Sequence, residues 1–253
     1  SKDILFEQMK SLGYSLKINL IDKDNFNFKD LSKEKINVID IKFKFKKPFE
    51  KISIKSNKYI HESFRVALNI IKNRNYYGLI NGPISKKHFL NDRFYGITEY
   101  LASLTNRKNK VSMLIYNKKL SVSPLTTHIP LKDVYKKITK KKIIEHVKLI
   151  KDFYTKTLNK NPRIAITGLN PHCESNYKNS EEEEIIKPAI NYLLKRKHKV
   201  SGPYSADTIF MKQSLKKFDV IVGMYHDQVL TPAKTLFEFD AINITMGLPF
   251  VRI

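Results

Sequence analysis

The order of apolar and polar residues in this 253-residue chain predicts an α/β protein built on a largely parallel sheet. Two observations carry that prediction. Short, mostly apolar runs recur along the chain, as strands covered by helices on both faces require. Between the later runs lie longer segments whose apolar residues return with helical spacing. Apolar residues make up 42% and aromatic residues 11% of the chain, enough to bury a substantial core at this length.

The first fifty or so residues are irregular, with strand-like pieces at INVIDIKFKF (36–45) and KISI (51–54). A helix is expected from about Lys58 to Asn73, where Phe64, Ala67, Leu68 and Ile71 share one stripe. Strands are then expected at YGLIN (77–81), VSMLIY (111–116), LSVSPLTT (120–127), RIAITGL (163–169), DVIVGMY (219–225) and AINITM (241–246). A helix at 142–158 aligns Ile143, Val147, Ile150 and Tyr154. Another at 181–197 opens with four glutamates and closes on Lys-Arg-Lys, an order that suits the helix dipole. A third, near Asp207–Lys216, follows Ser205 as its N-cap. No repeat or low-complexity block interrupts the series.

Lys and Arg number 47 against 24 Asp and Glu, a net charge of +23. The excess is spread along a chain rich in Asn, Ile, Phe and Tyr, and only KKITKKK (136–142) is dense. Such dispersed charge reads as composition, at most helping to draw in a phosphorylated substrate. No aromatic-basic motif supports nucleic acid, so neither nucleic acid nor membrane is an expected partner. No run of about 18 uncharged apolar residues offers a membrane span, and SKDILFEQMK at the start lacks an apolar signal core. Cys173 is the one cysteine, so no internal disulfide can form. These features fit the cytoplasm.

Four of the seven histidines, His61, His88, His146 and His198, fall in or beside helical segments and read as surface or packing residues. The other three share one setting. His128 closes SVSPLTTH, His172 closes IAITGLNPH and His226 closes VIVGMYH. Each is the first imidazole after an apolar strand, where open α/β sheets gather their ligands. Three neutral imidazoles can make a shell for a divalent metal with a position left open. The spacings of 44 and 54 residues form no local motif, so three unrelated loop histidines are the alternative. Asp207 and Asp227 could hold an ammonium group or back a metal ligand. Lys234, Asn243 and Arg252, at intervals of nine, would suit a phosphate or carboxylate.

These residues lie in phrases that together resemble the 4-hydroxythreonine-4-phosphate dehydrogenase family of vitamin B6 synthesis. The phrases are NGPISK (81–86), GITEYLA (96–102), TTHIPL (126–131), GLNPH (168–172), GPYSADTIF (202–210), YHDQVLTPAK (225–234) and NITMGLPFVR (243–252). The resemblance implies a three-layer α/β/α fold of the isocitrate and isopropylmalate dehydrogenase kind. Residues 1–253 would be one catalytic chain of two intertwined α/β subdomains flanking a cleft, in a homodimer that shares its active sites. It also implies one divalent metal (zinc, magnesium or cobalt) on His128, His172 and His226, one of them from the partner subunit. Substrate contacts would fall to Thr98, Lys234, Asn243 and Arg252, with Asp207 and Asp227 near the amino group. The implied reaction is NAD- or NADP-dependent oxidation of a phosphorylated hydroxy-amino acid, 4-phosphohydroxy-L-threonine, followed by decarboxylation. No G-x-G occurs among the eight glycines, so the nicotinamide site has no fingerprint of its own.

Three departures stand out. Ile97 occupies a position where the family has a substrate-facing histidine. Cys173 runs directly into Glu174, one glycine short of the family pattern, and the family's first strand and last helices have no counterpart here. Other readings are a sister dehydrogenase for phospho-threonate or phospho-erythronate, a three-histidine metallohydrolase, and a basic nucleic-acid binder.

Overall fold

A computed structural model describes residues 1–25, 27–74, 78–90, 94, 96–108, 110–173 and 179–252. The join after Cys173 and the last residue, Ile253, therefore lie outside the described residues. The chain divides into two compact units, Ser1–Ile97 and Thr98–Ile253.

The first unit holds α1 (Lys2–Ser11), β1 (Ile18–Ile21), β2 (Ile36–Ile39), α2 (Asn57–Arg74), β3 (Gly78–Leu79) and α3 (Lys86–Phe89). β1 and β2 pair in parallel, Ile18 opposite Ile36. Helix α1 is unmarked in the sequence because it buries a single side chain, Met9. The strand expected at 36–45 stops at Ile39, and Asp40 instead accepts from the backbone N–H of Lys2 at 2.8 Å. KISI forms no strand; Ser53 caps one 3-10 turn over Ile54–Ser56. Helix α2 follows its stripe, and its buried Phe64 packs against Phe89, ring centroids 6.1 Å apart.

In the second unit, α4 (Ile97–Leu104) begins at the boundary. Six strands then form one sheet: β4 (Ser112–Tyr116), β5 (Ser121–Pro124), β6 (Ile164–Thr167), β7 (Val200–Tyr204), β8 (Val220–Gly223) and β9 (Ile242–Met246). Their order is β7-β6-β8-β5-β4-β9. β7, β6, β8 and β5 are parallel; β4 runs antiparallel to both β5 and β9. The remaining elements are α5 (Val134–Lys137), α6 (Lys140–Leu158), α7 (Lys187–Lys195), α8 (Lys212–Leu215), α9 (His226–Phe237) and β10 (Val251–Arg252).

Strand side chains alternate between the two faces, and both faces are covered. Ile164, Ile166, Val220 and Val222 join Ile143, Val147 and Ile150 of α6 and Ala189, Ile190 and Leu193 of α7 in one core. Ala165, Ile221 and Val122 join Val229 and Ala233 of α9 in another. Three layers result, each fully buried aliphatic side chain contributing about 1.5–3 kcal/mol. His146 of α6 is 3% exposed, with its two ring nitrogens against the hydroxyls of Ser112 and Ser123. Burial pushes its pKa down to about 3, so it is a neutral packing residue, as its place in a helix suggested.

Two expected helices differ. At 207–216 only the short α8 forms. At 181–197 a π-helical turn over Glu182–Ile186 precedes α7 and turns Glu182 into the core, 1% exposed. Helix α9 starts on polar residues and contains Pro232, and it buries Val229 and Ala233, one turn apart. Among the described residues no helix is long and apolar enough to cross a membrane.

Candidate active site

The sheet order answers what sequence spacing could not. β6, β8 and β5 are adjacent, parallel neighbours, so the segments leaving their carboxyl ends emerge side by side. Those segments carry His172, His226 and His128. The connections from β5 to β6 and from β6 through β7 to β8 pass through helices, which is why these adjacent segments lie dozens of residues apart in sequence.

His226 opens α9 directly after its N-cap residue, Tyr225. Its Nδ1 lies 2.8 Å from Asp227 Oδ1, a contact that engages one ring nitrogen and leaves the other, Nε2, outside this pair. The His128 ring is 6.1 Å away, centroid to centroid, and tilted by 41°. The two segments are tied together just before the histidines. Leu125 N–H donates to the Gly223 carbonyl at 2.7 Å, and the Thr126 hydroxyl donates to the Met224 carbonyl at 2.7 Å.

His172 has φ +60° and Cys173 φ +57°, two left-handed residues in succession and a conformation uncommon outside glycine. Asp207 Oδ2 stands 3.6 Å from His172 Nδ1. The Ser205 hydroxyl, which donates to Asp207, holds that carboxyl below its ordinary pKa, and His172 acts in the same sense. Asp207 and Asp227 both line an open hollow of about 540 Å³, together with Tyr225, Gln228 and Thr231.

A second group forms around Thr98 of α4. Arg252 Nη1 donates to its hydroxyl at 3.3 Å, and Thr245 Oγ1 lies 3.5 Å away. Asn243 shares a face of β9 with Thr245, two residues on. Burial lowers the pKa of Arg252, opposed by the charge of Glu99. Lys234 belongs to neither group: its ammonium donates to the Glu238 carbonyl at the end of its own helix, 3.4 Å, and sits 5.5 Å from the Phe239 ring. Ile97, where the resembled family has histidine, is buried at 8% exposure.

Among the described residues no group of three or more His, Cys, Asp or Glu is arranged to hold a metal. The His128 and His226 rings are close neighbours, and Asp227 stands against Nδ1 of His226. That donor set fits two ligands of a divalent ion.

Two polar residues at this edge went unassigned in the sequence. Gln228 stands in the same phrase as His226, and its side chain reaches back to β6 and β8. Glu182, within the four-glutamate run, accepts from the N–H groups of Leu169 (2.7 Å) and Asn170 (2.9 Å). Gln228 was legible as a polar tip beside a histidine; nothing in the run of glutamates distinguishes the buried one.

The family model for the pyridoxal phosphate biosynthetic protein PdxA matches residues 1–253. A 4-hydroxythreonine-4-phosphate dehydrogenase of Sulfurihydrogenibium sp. is 46% identical over 178 residues, 69% of this chain and 54% of that protein. A relative from Oceanobacillus iheyensis, whose name ascribes to it D-threonate 4-phosphate dehydrogenase activity, is 34% identical over 208 residues, 81% of this chain and 62% of its own length. The matched stretch thus spans less than two thirds of either relative. Among solved structures, a 4-hydroxythreonine-4-phosphate dehydrogenase of Klebsiella pneumoniae superposes with a TM-score of 0.78 at 29% identity, covering 99% of this chain and 77% of that one. The fold is therefore the α/β type of the isocitrate and isopropylmalate dehydrogenases. With the family model matched from residue 1 to residue 253 and a relative 46% identical over 69% of the chain, the chain belongs to the PdxA family of pyridoxal phosphate biosynthesis.

Proposed function

We propose that the chain oxidises the secondary alcohol of 4-phosphohydroxy-L-threonine to 2-amino-3-oxo-4-phosphobutanoate, using NAD or NADP and one divalent metal. That product loses carbon dioxide to give 3-amino-2-oxopropyl phosphate, a precursor of pyridoxine 5′-phosphate. The observation that carries the reading is the adjacency of the three histidine-bearing strands β6, β8 and β5.

His128, His172 and His226 would hold the ion, zinc, magnesium or cobalt, with one of the three supplied by the second subunit of a homodimer. A bound divalent ion supplies Lewis acidity toward the alcohol oxygen and the carbonyl that replaces it. Asp227 fixes the tautomer and direction of His226, as carboxylates behind metal-binding imidazoles do. Asp207 and Asp227 offer negative charge to the substrate's amino group from one shared hollow. Arg252 with Thr98 and Asn243 would anchor the phosphate or carboxylate, Arg252 by paired N–H donors. Lys234 would add a charge only after leaving its helix-end carbonyl. A bound nicotinamide would take up the hydride from the alcohol carbon, and the hydroxyl proton would go to solvent. The two units would work as one catalytic chain, a soluble cytoplasmic enzyme with a small phosphorylated substrate.

A second reading, a sister dehydrogenase for phospho-threonate, is favoured by the name of the Oceanobacillus relative. That substrate lacks the amino group, so Asp207 and Asp227 separate the two. Absorbance of reduced nicotinamide is measured with each compound, with and without a chelator. Reduction with 4-phosphohydroxy-threonine that stops on chelation is the expected result. Turnover with the non-amino acid alone would transfer the assignment to the sister enzyme.

A further inference from the structure

We infer that Gln228 is a positioning residue that locks the His172 segment to the His226 segment. The side chain stands two residues beyond His226 in α9 and folds back past the start of that helix. Its Oε1 accepts from Met224 N–H, the first residue after β8, at 2.7 Å. The same oxygen accepts from the hydroxyl of Thr167, the last residue of β6, at 2.9 Å. Its Nε2 donates to the carbonyl of Gly168, the first residue after β6, at 2.8 Å.

Pairing between β6 and β8 ends at Ile166 opposite Val222. The amide of Gln228 therefore takes over where the strand ladder stops, bonding both chains one step further on. Two acceptances and one donation at this reach require a primary amide. A glutamate would set an acceptor against the Gly168 carbonyl, and methionine would fill the space with no strong bond. The surrounding backbone is shaped to admit it. A Cβ on Gly223 would come within 3.1 Å of Gln228 Oε1 and 2.4 Å of Val229 Cγ1.

The hold on the His172 side is completed by Glu182. The peptide unit between Gly168 and Leu169 is bonded at its oxygen by Gln228 (2.8 Å) and at its nitrogen by Glu182 (2.7 Å). It cannot rotate without breaking both. Glu182 also takes Asn170 N–H and the Asn170 side chain, and two residues later the chain reaches His172 in its left-handed conformation. Fixing this peptide and Met224 to one amide sets the distance between two histidine segments that no helix or strand connects directly.

The inference rests on the proposed metal site only in its second readout, and the test separates the two. Amide hydrogen exchange is followed over 168–173 and 224–227 in the parent chain, Gln228→Met and Gln228→Glu, and zinc affinity is measured by competition with a chromophoric chelator. In Gln228→Met both segments should exchange faster together, by about tenfold or more, with zinc affinity about tenfold or more weaker, the range known for groups that orient metal ligands. Gln228→Glu keeps both acceptances and should loosen 168–173 alone. Joint loosening in a chain that binds no zinc upholds the clamp and discards the metal. Faster exchange confined to 224–227, or unchanged exchange with only a raised KM, overturns the inference and makes Gln228 a helix-end or substrate contact.

Discussion

Strand β8 has a carboxylate just beyond each end, and the two behave as opposites. Asp219, at the amino edge, is 8% exposed in its side chain, whereas Asp227, at the carboxyl edge, is 81% exposed. Asp219 accepts from Lys160 Nζ (2.8 Å) and from Arg163 through its backbone N–H (2.8 Å), Nε (3.3 Å) and Nη2 (3.2 Å). Burial alone would raise its pKa, yet these bonds carry it down to about 2. Asp227 orients one imidazole and keeps its remaining lone pairs open to solvent. One edge consumes its polar capacity in the scaffold. The other withholds it, as a site must if a ligand is to complete the bonding.

The comparison can be broken most strongly at the carboxyl edge. His226→Ala should lower turnover about 100-fold or more, beyond the range for orienting residues, with the urea midpoint near that of the parent. His128→Ala and His172→Ala should do the same. Near-parental rates in any of them would remove that residue from the chemistry. At the amino edge the outcome should invert. Asp219→Ala should cost about 2–3 kcal/mol in urea unfolding, since it strips a buried acceptor from two cations, while kcat measured on the folded protein stays unchanged. A fall in kcat larger than the folded fraction explains would blur the two edges.

Smaller effects sharpen the same contrast. Asp227→Asn should weaken zinc binding about tenfold and move stability by no more than about 0.5 kcal/mol. The pH dependence of unfolding tests the scaffold side of the contrast. Asp219 has a folded pKa below its unfolded one, so its contribution is full above about 4 and fades as pH falls toward about 2. His146, also depressed in the folded state, removes stability as pH drops below its unfolded value of 6.5 toward about 3. Melting temperature should therefore begin to fall below about pH 6.5 and fall further below about pH 4. In Asp219→Asn the second fall should shrink.

What could be read from residues alone followed the range of the interactions involved. Each histidine after an apolar run could be placed at a strand's carboxyl end, because strand and terminus are local features. That β6, β8 and β5 are neighbours is a nonlocal fact, set by crossovers through α6, α7 and α8, and no spacing encodes it. The even nine-residue interval of Lys234, Asn243 and Arg252 suggested a cluster. The Lys234 ammonium meets the Glu238 carbonyl at the end of α9, Arg252 meets Thr98, and Asn243 shares a strand face with Thr245. Glu182 reads as one of four glutamates suited to a helix start, and a π-helical turn drops it into the core.

The central claim is that the carboxyl edge of β6, β8 and β5 gathers histidines to bind one divalent ion. Equilibrium dialysis against zinc, with the parent chain beside His128→Ala, His172→Ala and His226→Ala, tests it most directly. The account predicts one zinc per parent chain and affinity weakened about 100-fold or more in each variant. Parental zinc affinity in both His128→Ala and His226→Ala would contradict it.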